Sequence, residues 1–273
     1  LKESPFAEIT GALCNAPCET DGCTIGQANT DPVKIKGTEY NLARVAWNLG
    51  WLDEKFPPAK NKNRSASSDI EQNPTESSSP YDKPIFLYGA GVDTLTEAYE
   101  LASKGYTNIT IADRNPQIGG AVFEYIPDHK FDTAELTKFR YLLERMGIKF
   151  KMNTEVTPEL YKDSEVVCHN VGTLHGVEDR NPINIPGYDK VSDLVRPAVH
   201  VLKKMKLANW RGYHFSDGLQ GNALNLGGGD TGQDITRRTA RSNFQEAIRE
   251  NWVSTGDINR SVIDQIFVSD KYS

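Results

Sequence analysis

The chain has 273 residues, 38% of them hydrophobic, and a formal charge of −6 at pH 7. That length suits about two domains, and no apolar run approaches a membrane span or a secretory signal. With no dominant basic face, nucleic acid is excluded as an expected partner. A cytoplasmic or organellar protein, off the membrane, is expected. The chain begins at Leu1 rather than Met and reads as a piece of something longer.

Residues 1–56 open with the run ITGALCNAPCETDGCTIG. Cys14, Cys18 and Cys23 fall within ten residues of one another, and Cys168 stands far off. Thiolates on a loop bent by glycine and proline can turn inward on an iron–sulfur cube or on zinc. Three is one short of the usual four, and the alternative is three buried or free thiols. The segment PVKIKGTEYNLARVAWNLGWL predicts a helix with Tyr40, Leu42, Val45, Ala46 and Leu49 as its apolar positions, ending near Gly50. Residues 57–83 are rich in Pro, Ser, Asn and charge. Such a stretch buries too little surface to offset its chain entropy, so it reads as a linker.

The stretch Pro84–Asp113 reads as strand, glycine turn, helix, strand. Ile85 to Tyr88 is an apolar run fit for a buried parallel strand. Leu95, Ala98, Tyr99 and Ala102 share one helical face, and Lys104–Gly105 is a stop signal. Ile109 to Ala112 predicts the second strand. Gly89 and Gly91 offer bare backbone to a pyrophosphate at a helix N-terminus, and Asp113 offers a carboxylate to ribose hydroxyls. Asp113 follows Gly91 by 22 residues, near the spacing of about 20 seen in dinucleotide folds. Thr94 holds the place of a third glycine, and Asp93 puts a carboxylate in the first helical turn, where a pyrophosphate wants positive charge.

Gly119–Gly120 then permits either a close approach to a ligand or an ordinary turn. Asp132 is positioned to cap a helix carrying Leu136, Phe139, Leu143 and Met146 and ended by Gly147. Strands are expected at Ile148–Met152 and Glu165–Cys168, a crossover at Pro182–Pro186 and a helix over Val195–Met205. A strand-like run, Ala223 to Leu226, feeds GGGDTGQDITRRTAR, in which Gly227, Gly229 and Gly232 complete G-x-G-x-x-G. Two such units in one chain suggest a flavin domain and a nicotinamide domain. Arg237, Arg238 and Arg241 either meet a 2′-phosphate or form a solvated basic face. His129, His169, His175, His200 and His214 are scattered and form no nucleophile–base set, so any redox chemistry belongs to cofactors.

The predicted architecture is α/β: two Rossmann-like parallel-sheet nucleotide-binding units preceded by a small helical domain of iron–sulfur type. Its segments are 1–56 (helical cysteine domain), 57–83 (linker), 84–190 (flavin-binding unit) and 191–273 (nicotinamide-binding unit).

The cysteine run, PVKIKGTEYNLARVAWNLGW, the first βαβ unit, the GG…YIPDHKF segment and GGGDTGQD together resemble the small (β) subunit of glutamate synthase. The same pattern is similar to the N-terminal half of dihydropyrimidine dehydrogenase and to the flavoprotein of ferredoxin:NADP transhydrogenases. The resemblance implies an electron-input module for glutamate biosynthesis, passing electrons from NADPH (or NADH) through FAD to 4Fe-4S clusters and on to a large-subunit-like partner. It implies FAD contacts at Gly89, Gly91, Asp113, Gly119 and Gly120. On the NADPH side it implies Gly227, Gly229, Asp230, Thr231, Gly232 and Arg241. Cys14, Cys18, Cys23 and the non-cysteine Glu39 match cluster ligands. This chain departs from the pattern in several places. An upstream cysteine motif is absent, so the chain cannot complete either cube alone; GAGVDT replaces G-x-G-P-A-G; AVFEYIP lacks the family's arginine; and CHNVGT stands where Ala-Thr-Gly is usual. It reads as a truncated, diverged copy. The alternatives are a degenerate non-catalytic paralogue serving as an assembly or scaffold subunit, and a zinc-stabilised binding module.

Overall fold

The computed structural model of the protein describes residues 4–19, 24–29, 31–59, 80–172, 186, 190, 195–210, 224–226 and 229–240. The first helices are α1 (Ala7–Leu13), α2 (Thr24–Asn29), α3 (Ile35–Asn48) and α4 (Trp51–Lys55). There follow β1 (Ile85–Tyr88), α5 (Val92–Ser103), β2 (Ile109–Ala112), α6 (Ala121–Glu124), α7 (Leu136–Arg145), β3 (Lys149–Lys151), α8 (Pro158–Tyr161), β4 (Val166–His169) and α9 (Ala198–Trp210). A further helix, α10, covers 230–240. Two compact units divide the chain, Leu1–His175 and Gly176–Ser273.

The first unit is α/β with a parallel sheet. β1 and β2 occupy the bounds read from the sequence, and Ile85, Phe86 and Leu87 are buried because a parallel strand is covered on both faces. Strand order is β3-β2-β1-β4, every pair parallel. The chain steps outward from β1 to β2 to β3, then returns to lay β4 on the other flank of β1. Such a reversal opens a crevice beyond the carboxyl ends of the strands, where open α/β sheets take ligands. Helix α5 buries Leu95, Ala98 and Tyr99 as its apolar spacing predicts, and Gly105 ends it at φ +101°. The Asp132 carboxylate accepts the Ala134 N–H at 2.9 Å, and Gly147 closes α7 at φ +91°.

Helices α1, α3 and α4 meet α5 and α7 within the same unit. Phe6 lies edge-on to Phe139 of α7, ring centroids 5.4 Å apart. Phe56 lies 6.1 Å from Phe6 and 4.9 Å from Tyr99 of α5. Lys138 of α7 reaches Glu8 of α1 at 2.5 Å and Glu135 at 2.6 Å. The Ala59 N–H donates to the Arg145 carbonyl at 2.7 Å, so the chain leaving α4 is fastened to α7.

Several elements differ from the sequence reading. In α3 the buried residues are Ala43 and Ala46, whereas Leu42, Val45 and Leu49 are exposed. The cause is Gly11 of α1: a Cβ there would stand 2.8 Å from the Tyr40 nitrogen, so the helices meet backbone to backbone through small residues. Helix α9 starts three residues later than expected, after Pro197, whose carbonyl accepts the Val201 N–H at 3.2 Å. It packs Val201, Leu202 and Met205 against Ile235 of α10 within the second unit. Leu224–Leu226, expected as strand, is irregular and exposes both leucines. The Asn225 amide instead clasps the start of α10, donating to the Gly232 carbonyl at 2.8 Å and to Thr236 Oγ1 at 3.0 Å. The predicted crossover at Pro182–Pro186 lies outside the described residues except for a turn at Pro186.

Candidate functional site

A cavity of about 340 Å³ opens where β1, β2 and β4 end, and Gly89, Gly91, Asp113, Gly119 and Gly120 all line it. The five residues proposed for one ligand are therefore brought together. Gly89 turns the chain out of β1 at φ +99°, where an added Cβ would clash with the carbonyl oxygen of Asn170, just past β4. Gly91, the N-cap of α5, has ordinary dihedrals (φ −70°, ψ 169°), and a Cβ there would meet nothing within 4 Å. Its bare face thus borders open space at a helix N-terminus, which is the cradle a pyrophosphate requires.

The double glycine is more than a turn. The Gly119 N–H donates to the Ala90 carbonyl at 2.7 Å, and Gly119 pairs with Gly91 in a parallel bridge. A Cβ on Gly120, which sits at φ +51°, would stand 3.0 Å from the Gly91 Cα. Two glycine segments 28 residues apart (119 − 91) therefore form one continuous wall.

Asp113 binds this wall to β2. Its Oδ2 accepts the Ala90 N–H at 2.6 Å and its Oδ1 accepts the Asn115 N–H at 2.7 Å. Burial pushes this carboxyl above the usual carboxylate range; the Asn115 and Ala90 N–H groups and the nearby Arg114 pull it down, and Glu124 pushes it up further. Each carboxylate oxygen keeps lone-pair capacity for a sugar hydroxyl. Arg114, Asn115, Glu124, Tyr125 and Asn170 line the same cavity and were not singled out from the sequence. The available signal for Glu124 was a charge inside the otherwise apolar AVFEYI.

Thr94, in the place of the third glycine, is fully buried, and its Oγ1 has no hydrogen-bond partner among the described residues. A buried hydroxyl without an acceptor costs about 1–3 kcal/mol, whereas an isosteric methyl does not. Thr94→Val is expected to raise unfolding stability by about 1 kcal/mol in urea melts; an equal or lower stability would show that the hydroxyl is satisfied. Behind the cavity, Asn170 Nδ2 donates to Glu97 Oε2 at 2.7 Å. Burial and the Glu97 carboxylate push the Cys168 thiol up to about 11, so it stays protonated at neutral pH.

The other predicted residues are placed as follows. Cys14 is the C-cap of α1, and its Sγ accepts the Ala16 N–H at 3.3 Å. Cys18 lies on a single 3-10 turn, Pro17–Glu19, and Cys23 lies outside the described residues. Between the first two, Ala16 adopts φ +52° directly before Pro17, a conformation disfavoured both for a residue with a Cβ and for one preceding proline. Glu39 of α3 accepts the Thr10 hydroxyl at 2.8 Å. Among the described residues no group of three His, Cys, Asp or Glu side chains is arranged to hold a metal ion. On the nicotinamide side, Gly229 precedes α10 and its carbonyl accepts the Gln233 N–H at 2.9 Å. Asp230, Thr231 and Gly232 form the first turn, while Gly227 and Arg241 lie outside the described residues.

No family model matches the chain. Known proteins do. It is 28% identical over 247 residues to the NADPH-type glutamate synthase small chain of Bacillus subtilis, covering 88% of this chain and 45% of that one. AegA of Escherichia coli, named as an oxidoreductase, is 33% identical over 242 residues, 86% of this chain and 33% of AegA. Over most of its length the chain is thus similar to glutamate synthase small chains and to AegA-type oxidoreductases. A further member of that similarity is the NADH-type glutamate synthase of Saccharomyces cerevisiae, 28% identical over 244 residues, or 88% of this chain and 10% of the yeast protein. The chain thus spans less than half the length of these small-chain and oxidoreductase relatives. Among the described residues no helix is long and apolar enough to cross a membrane.

Proposed function

We propose that this chain is the electron-input part of a glutamate synthase-type oxidoreductase, taking electrons from NADPH or NADH and delivering them through FAD to iron–sulfur clusters. The observation that carries the reading is the meeting of Gly89, Gly91, Asp113, Gly119 and Gly120 around one cavity at the carboxyl ends of parallel strands. Gly91 and Gly120 would lie under the FAD pyrophosphate, and Asp113 would hold the ribose. A bound flavin supplies the conversion between a two-electron hydride donor and one-electron carriers. The chain's own part is binding and orientation: the backbone wall fixes the diphosphate end, and Asp113 fixes the sugar. Gly227, Gly229, Asp230, Thr231, Gly232 and Arg241 are the proposed nicotinamide contacts. Cys14, Cys18, Cys23 and Glu39 are the proposed cluster ligands, completed by cysteines from outside this sequence. The partner is a large-chain-type catalytic protein or domain.

The native-length protein tests this by its visible spectrum and its iron and sulfide content. Flavin bands together with iron and acid-labile sulfide are expected. A protein with neither would remove the reading. The second reading, a non-catalytic scaffold copy, draws on Thr94 and Asp93, which work against a dinucleotide in this cradle. It gains if the spectrum is blank while the protein still copurifies with its large-chain partner.

A further inference from the structure

The backbone of the crevice suits a dinucleotide better than its charge does. Among the described residues lining it, three are carboxylates (Asp93, Asp113 and Glu124) and Arg114 is the one cation. Asp113 is committed to the fold through the Ala90 and Asn115 N–H groups. Glu124 is 5% exposed, so its field is poorly screened by water. Asp93 is different: it is exposed, sits in the first turn of α5 two residues after Gly91, and joins no salt bridge among the described residues. A helix N-terminus presents roughly half a positive charge. A carboxylate in that same turn more than cancels it, at the spot where Gly91 leaves room for phosphate.

We propose that Asp93 sets the affinity of this crevice for phosphate-bearing ligands, repelling the diphosphate of a dinucleotide while leaving the sugar-and-base end unaffected. The inference rests on the flavin reading above and assigns its affinity-determining residue. On this reading Asp113, just past β2, would anchor the ribose end and the phosphates would lie at the α5 terminus, so the two ends of the ligand answer to different residues. Repulsion between exposed charges is screened by salt. The unmodified chain is therefore expected to bind ADP more tightly as ionic strength rises, opposite to a site held by cations.

The test is equilibrium titration of adenosine, ADP and FAD into the full chain and into Asp93→Asn, with Asp93→Glu as the charge-retaining control. Asp93→Asn is expected to tighten ADP and FAD about tenfold, equivalent to about 1.4 kcal/mol, and to leave adenosine within about twofold. It should also abolish the salt-induced tightening, while Asp93→Glu binds as the unmodified chain does. Equal ADP affinity in the unmodified chain and Asp93→Asn, or an equal gain for adenosine, overturns the proposal while leaving the flavin reading intact. If none of the three ligands binds any variant, the flavin reading itself falls and takes the proposal with it.

Discussion

Gly89→Ala is expected to cost about 3–5 kcal/mol of stability, seen as a thermal midpoint lowered by about 10 °C or as loss of soluble protein. Two penalties act at this one position. Its φ of +99° is a conformation that residues with a side chain rarely adopt. Its Cβ would also run into the Asn170 carbonyl, which is backbone and cannot swing away as a side-chain tip could. The Asn170 N–H donates to the Tyr88 carbonyl at 2.8 Å, so β1 and β4 are already locked together next to the clash. Relief would require separating the strands that frame the crevice. A midpoint within about 2 °C of the unmodified protein would mean that the turn out of β1 is looser than described.

Lys138→Ala is expected to cost about 3–5 kcal/mol. Its ammonium lies 2.5 Å from Glu8, with the two side chains 11% and 4% exposed. The same ammonium stands 5.1 Å from the centre of the Trp47 ring. Deleting the lysine leaves Glu8 buried and uncompensated, which is costlier than never having had the pair. The discriminating measurement is a double-mutant cycle. Glu8→Leu with Lys138→Met is expected to recover stability to within about 1 kcal/mol of the parent. If the Glu8→Leu and Lys138→Ala single variants both melt like the parent, α1 is not held on α7 by this ion pair.

That contact also marks where sequence reading stops. Glu8 and Lys138 are 130 positions apart, and no periodic pattern links residues on separate elements. By contrast β1, β2, α5 and α7 were legible because each combines an apolar period with a glycine or aspartate at its end, and both signals are local. The candidate site was legible to the same depth. Gly89, Gly91 and Asp113 followed from the spacing within one βαβ unit. The anchoring of both Asp113 oxygens on the backbone, and the bridge from Gly119 to Gly91, depend on how the chain returns after β2. In α3 the pattern misled: leucine and valine outrank alanine in hydrophobicity, yet close approach at Gly11 selects the small residues Ala43 and Ala46. The glycine run before α10 shows the opposite limit, since a complete motif did not make Leu224–Leu226 a strand.

The claim at the centre is that the glycine-lined crevice of the first unit holds an adenine dinucleotide. Gly91→Ala tests it most directly, because the added methyl meets no protein atom within 4 Å apart from its neighbours in the chain and would enter the space proposed for the phosphates. The substitution is expected to change unfolding stability by less than about 1 kcal/mol, while FAD and ADP affinity fall by at least about tenfold. Unchanged FAD binding in a normally folded Gly91→Ala protein would contradict it.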